Sequence, residues 1–182
     1  MSQKLVGLAL QGGGSHGAYT WGVLDRLLED EGVAIEAVSG ASAGAVNAAV
    51  LAHGYLIGGR EGARAALDRF WSAVSEKTLA GAAGSSFPEP AAKAWRSLTR
   101  YFSPYQLNPL NLNPLRDILA KQIDFERLRA AGTIELFISA TRVRDGALKI
   151  FTRRELTLEA LLASACVPSV HHSVEIDGEA YW

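Results

Sequence analysis

Ala37-Val38-Ser39-Gly40-Ala41-Ser42-Ala43-Gly44 is the stretch on which the reading of this chain turns. Glycines two residues before and two after a serine let the backbone bend sharply from a strand into a helix. The serine is then pushed out, strained, at the strand tip, with the following N–H groups aimed where an oxyanion would form. Gly40 and Gly44 read as the glycines of a nucleophile elbow, and Ser42 as its nucleophile. Small residues and glycines also fill many ordinary tight turns, so the flanks decide. Upstream, Val33, Ile35 and Val38 form a short apolar strand. Downstream, Ala45-Val46-Asn47-Ala48-Ala49-Val50-Leu51-Ala52 reads as a helix apolar nearly all round, hence buried on most faces.

Towards the N-terminus, Leu5 to Leu10 is a continuous apolar run, the pattern of a parallel strand covered on both faces. It leads into Gln11-Gly12-Gly13-Gly14-Ser15-His16-Gly17. A helix follows, with Trp21, Leu24 and Leu28 on one side, Asp25, Glu29 and Asp30 on the other, and Gly32 as its stop. With the strand Val33 to Ser39 this makes a βαβ unit with parallel strands and a right-handed crossover. Both glycine turns fall at the carboxyl end of the strands, where open α/β sheets bind ligands, so the loop approaches Ser42.

That loop can be read in two ways. Gly12 to Gly17 satisfies Gly-x-Gly-x-x-Gly between a strand and a helix, and Glu36 stands where a ribose-binding acid would, which gives a dinucleotide-binding alternative. The other reading is an oxyanion hole. Gly12, Gly13 and Gly14 expose successive backbone N–H groups at a helix N-terminus, where the macrodipole favours developing negative charge. A dinucleotide reading leaves Ser42 without a role, whereas the hydrolase reading uses both turns in one mechanism.

At 182 residues, 48% hydrophobic, 20% charged and net charge -1, the chain has the composition of one globular domain with a sizeable core. No basic excess points to nucleic acid. Cys166, the single cysteine, cannot form an internal disulfide and reads as a small core residue. Neither metal nor organic cofactor is expected. The apolar run before Gly12 is too short for a secretory core or a membrane span, which leaves the cytoplasm as the default compartment.

Gln11-Gly12-Gly13-Gly14-Ser15-His16-Gly17 followed by Gly40-Ala41-Ser42-Ala43-Gly44 resembles the patatin-like phospholipases, serine lipid acyl hydrolases that use a Ser-Asp dyad. The resemblance runs from Lys4 to Trp182. It implies a three-layer α/β/α patatin-like fold with a mostly parallel central sheet, a single domain over 1–182, and a lipid or acyl-ester substrate met through peripheral membrane contact. It also implies Ser42 as nucleophile and Gly12, Gly13 and Gly14 as oxyanion donors. One departure is His16, where the family usually carries Lys or Arg, so that positive charge is absent or pH-dependent here. In the family the dyad aspartate opens an Asp-Gly turn directly after a strand like Glu179-Ala180-Tyr181-Trp182. The aspartate is therefore expected immediately after Trp182, on a second piece of polypeptide beginning Asp-Gly that completes the domain, and the 182 residues alone are expected to be inactive or very slow. A lipid-binding or regulatory member without turnover is the alternative.

Elsewhere, Gly54 reads as the end of the buried helix, with His53 beside it as a C-cap, and Arg60 to Lys77 as a second helix. Thr78 to Phe87, rich in Gly, Ala and Ser, reads as a mobile loop. Trp95, Leu98, Tyr101, Phe102, Tyr105 and Leu107 either finish the core or form an apolar lid near the entrance that meets lipid surfaces. Helices are expected at Leu115 to Gln122, at Phe125 to Ala131 and, capped by Thr157, at Leu158 to Cys166, where Ser164 is taken as a packing residue. Hairpins are expected about Asp145-Gly146 and Asp177-Gly178. That role makes Asp177 a turn residue rather than a base. His171 and His172 lie late enough for a histidine triad, yet none of Asp117, Asp124 and Asp145 stands at a convincing strand tip.

Overall fold

The computed structural model describes residues 3–84, 104–169 and 171–182. Four strands, β1 (Lys4–Leu10), β2 (Val33–Ala41), β3 (Glu135–Thr141) and β4 (Leu148–Thr152), form one sheet in the order β1-β2-β3-β4. The first three are parallel; β4 returns antiparallel after the Asp145-Gly146 turn, where Gly146 takes φ 71. Mixed α/β architecture with a mostly parallel sheet is what the sequence led us to expect. A bulge between Val6 and Gly7 leaves Glu36 without a partner on β1, part-way along β2 and away from its tip.

One face of the sheet carries Val38, Leu136, Ile138, Ala140 and Phe151, all buried. Helix α2 (Ala43–Gly84) lies across it, and α1 (Gly17–Glu29) packs Leu24 and Leu28 onto α2. The opposite face is open among the described residues: Leu5 is 64% exposed, Phe137 41% and Ile150 38%. The continuous apolar run of β1 predicts cover on both faces; among the described residues its alternate side chains are exposed on one of them.

Helix α2 is a helical hairpin. Gly58 and Gly59 leave helical geometry, Gly59 at φ 60, and the chain turns back on itself. The two limbs cross at Gly54 and Gly62, where a Cβ on Gly54 would sit 2.5 Å from the Gly62 carbonyl oxygen. Gly54 therefore marks a close approach inside the hairpin, not the helix end that its composition suggested. His53 is correspondingly buried in the first limb, its Nε2 accepting the Asp124 N–H at 3.1 Å, and does not cap a helix. The second limb runs on to Gly84, so residues 78–84 are helical rather than loop; alanine's helix propensity outweighs the intervening glycines.

Four short helices follow among the described residues: α3 (Pro104–Leu107), α4 (Pro114–Gln122), α5 (Phe125–Ala131) and α6 (Leu158–Ser164). Asn113, Asp124 and Thr157 cap the last three, each side chain accepting a first-turn N–H. The hairpin β5 (Val174–Ile176) and β6 (Glu179–Tyr181) turns through Asp177 and Gly178, both left-handed at φ 52 and φ 80. This confirms Asp177 as a turn residue.

Candidate active site

Strand β2 delivers Ser42 to the carboxyl edge of the sheet. Its φ is 52, a left-handed conformation that costs a residue with a Cβ about 1–2 kcal/mol. Two contacts make the neighbouring positions glycine-only. A Cβ on Gly40 would lie 2.6 Å from the Gly44 carbonyl carbon, and one on Gly44 would collide with the Leu10 carbonyl oxygen at the end of β1. The elbow is thus folded tightly upon itself and against β1. Its strain is held by Ser164, whose hydroxyl accepts the Ser42 backbone N–H at 2.9 Å.

The glycine loop stands beside this turn. A Cβ on Gly12 would meet Ser42 Cβ at 3.1 Å, so loop and elbow are in contact. Gly13 and Gly14 adopt φ 154 and φ 56 and open the 3-10 turn Gly14–His16 that leads into α1. Among the described residues nothing lies within 4 Å of a Cβ built on Gly14, so that side of its backbone is open. His16 Nδ1 lies 3.1 Å from the Gly13 carbonyl oxygen. The loop thus lies at the N-terminus of α1, next to Ser42.

Ser42, Gly14 and Ser15 border a cavity of about 350 Å³ whose other walls are apolar: Val46, Phe70, Trp71, Val74, Leu115 and Val167 among them. No carboxylate or imidazole lines it among the described residues, and none of those residues hydrogen-bonds the Ser42 hydroxyl. The acids weighed for a histidine triad are engaged elsewhere. Asp117 pairs with Lys77, Asp124 caps α5, and Asp145 is held by Arg142, which keeps its carboxyl below the usual carboxylate range. His171 and His172 border a different, polar cavity of about 160 Å³ with Cys166 and Glu159. Burial, then the neighbouring His172, lowers the His171 pKa, and burial pushes the Cys166 thiol up. Tyr105 stacks on His172 with centroids 4.0 Å apart. The other aromatics of the expected lid, Trp95 to Phe102, lie outside the described residues.

The C-terminal hairpin reaches the same edge. Thr141 and Trp182 exchange backbone hydrogen bonds of 2.6 and 2.9 Å, and Arg142 bridges Tyr181. The Arg142 N–H bonds Ala147 on the β4 side, so the alternating Thr141 faces the side that β2 occupies. There Ala41 is paired with Ser139, two residues back along β3. Strand β6 therefore runs antiparallel towards the tip of β2.

The patatin-like phospholipase family model matches residues 8–182. The chain belongs to that family. As a family of lipid acyl hydrolases, the patatin-like phospholipases account for the paired glycine turns and the apolar cavity together. No curated protein matches the chain. Among solved structures, the heterodimeric ExoU-SpcU complex from the type III secretion system of Pseudomonas aeruginosa is similar at 21% identity and a TM-score of 0.44. That match covers 90% of this chain and 36% of that one, so the chain spans little over a third of the neighbour's length. No described helix is long and apolar enough to cross a membrane.

Sequence reasoning gave Ser164 only a packing role, where the structure makes it the acceptor of the Ser42 N–H, and gave Asn47 and Trp71 no role at the site. Asn47 is fully buried in the first limb of α2 and joins Trp71 to Gly17 by hydrogen bonds. None of these carries a local signature, because each acts across a long stretch of chain.

Proposed function

We propose that this patatin-like protein hydrolyses lipid acyl esters through an acyl-enzyme on Ser42. The observation that carries the reading is the strained Ser42, in contact with the glycine loop and open to an apolar cavity. In this reading Ser42 Oγ attacks the ester carbonyl carbon while a base takes its proton. The carbonyl oxygen becomes an oxyanion held by N–H groups of the Gly12, Gly13 and Gly14 loop. Collapse expels the alcohol, which takes up the proton, and leaves the acyl group on Ser42; water then attacks the acyl-enzyme and releases the fatty acid. The cavity suits an alkyl chain, and its described walls offer no counter-charge for a charged one.

The base we propose is an aspartate directly following Trp182, on polypeptide beginning Asp-Gly that packs against the last strand as a second piece or a continuation. The course of β6 supports this, since one further residue brings the chain to the tip of β2. A serine hydroxyl needs such a group within hydrogen-bond reach, so residues 1–182 alone should be inactive or very slow. That no described residue hydrogen-bonds the Ser42 hydroxyl favours, as a second reading, a lipid-binding member without turnover.

A fluorophosphonate probe and short p-nitrophenyl esters separate the two. Labelling of Ser42 together with fatty-acid release, appearing only when an Asp-Gly segment is supplied, is the expected result. Labelling without turnover in the presence of that segment would favour the binder. Full activity from residues 1–182 alone would remove the proposed base.

A further inference from the structure

Burying an amide is costly unless both of its ends are bonded, and Asn47 meets that condition with two groups from different elements. Its Nδ2 donates to the Gly17 carbonyl oxygen at 2.9 Å, and its Oδ1 accepts the Trp71 indole N–H at 2.9 Å. The orientation is forced, because a carbonyl can only accept and an indole N–H can only donate. The flanking helix positions, Ala45, Ala48 and Ala49, show that small apolar residues pack in this environment.

The indole is fixed from further sides. A Cβ on Gly17 would lie 2.9 Å from Trp71 Cζ2 and Cη2, so the ring edge rests on a bare backbone. Phe70 meets the ring edge-on, with centroids 5.3 Å apart at 83°. Trp71 is also a wall of the Ser42 cavity, while Gly17 opens α1 directly after the turn that carries Gly14. The hydrogen-bonded path thus runs from the cavity wall through Asn47 to the helix that follows the glycine loop.

We propose that Trp71 gauges the length and bulk of the acyl chain entering the Ser42 cavity, and that Asn47 is the positioning residue that holds its indole plane. The inference rests on the acyl-site reading above and names the group that sets its chain preference. A chain that fits leaves the path undisturbed. One that displaces the indole pulls through Asn47 on Gly17 and, with it, on the loop.

The test is calorimetric titration of straight-chain fatty acids, in two-carbon steps from about six to about sixteen carbons, onto the full chain carrying Ser42→Ala. Affinity should rise by up to about fourfold per methylene until the cavity is full, then level off. Adding Trp71→Ala should move that break to chains about two to four carbons longer. Trp71→Phe and Asn47→Leu, which remove the same hydrogen bond from opposite ends, should each shift or blur the break, and the double variant should do no more than either single change. An Asn47 with a merely structural role would weaken all chain lengths in parallel, leave the break in place and overturn the positioning assignment. A break that ignores Trp71→Ala, or no binding at any length, overturns the proposal. Should Asn47→Leu lose its fold by circular dichroism, Asn47→Ala takes its place, since alanines already pack at the flanking positions. Graded binding with no ester hydrolysis by the Ser42 protein supplied with the Asp-Gly segment would sink the hydrolase reading and leave this one standing; hydrolysis under those conditions with a break indifferent to Trp71 would do the reverse.

Discussion

The chain leaves β1 and β2 at neighbouring points of one sheet edge, and its glycines serve different ends at the two. At the tip of β1 the demand at Gly14 is conformational: φ is 56, and a Cβ would meet nothing within 4 Å. At the tip of β2 the demand at Gly40 and Gly44 is spatial, since a Cβ at either would run into backbone. Between those two glycines, Ser42 holds its strained φ with a side chain in place. At Gly14 the first turn has room for a side chain; at Gly40 and Gly44 the second is a packed joint. A substitution in the first should therefore be felt in rate, and one in the second in the fold.

The largest expected effect breaks the comparison at its centre. Ser42→Ala should lower ester hydrolysis by about 10⁴-fold or more with the fold intact, and Ser42→Gly should do the same while raising stability by about 1 kcal/mol through relief of the left-handed strain. Retained turnover, or a Ser42→Gly protein that melts earlier than wild type, would contradict the assignment. Next is Gly44→Ala, where the new methyl meets the Leu10 carbonyl. A loss of roughly 3 kcal/mol, seen as a Tm lower by roughly 6–12 °C, is expected. Gly14→Ala should sharpen the contrast: a rate loss on the order of 10²-fold with a stability loss of only about 1 kcal/mol. If thermal melts instead show Gly14→Ala to be as damaging as Gly44→Ala, the two turns are alike and the distinction is lost.

Ser164→Ala removes the acceptor of the Ser42 N–H and should cost about 1 kcal/mol and a several-fold drop in kcat, measurable together by melting and short-ester kinetics. The smallest effect belongs to neither tip. Burial, opposed by Asp124 and aided by Arg127 and Arg69, lowers the His53 pKa. The unfolded chain then binds the proton more readily than the folded one, so the contribution of neutral His53 is complete above about pH 6.5 and declines as pH falls below it. Replacing His53 by Gln should flatten that part of the stability–pH curve, and an unchanged slope would assign the acid sensitivity to other groups.

What the sequence disclosed and what it concealed divide along chain distance. Strands β1 and β2, helix α1, the elbow and both later hairpins were legible because each is written in adjacent residues: an apolar run, a glycine spacing, an Asp-Gly pair. Ser164 could not be linked to Ser42, nor Asn47 to Trp71, because those hydrogen bonds join residues whose proximity arises only from the fold. Composition also misled where one residue type serves two purposes. Gly54 resembles a helix stop and is a crossing point between the limbs of α2. The alanine-, glycine- and threonine-containing residues 78–84 resemble a loop and continue a helix. The apolar run of β1 could not disclose which face the described residues leave bare.

The hydrogen bond between Ser42 and Ser164 spans 122 positions of chain. Ribosomes add roughly 5–20 residues per second, so on the order of ten seconds separate the appearance of the serine from that of its restraint. Strands β1 and β2, the helix between them and the hairpin of α2 can all assemble from neighbouring residues during that interval. The elbow cannot be fastened until helix α6 has been made and docked. A nascent chain thus carries its serine slack, and the strained geometry is set only once Ser164 has been made.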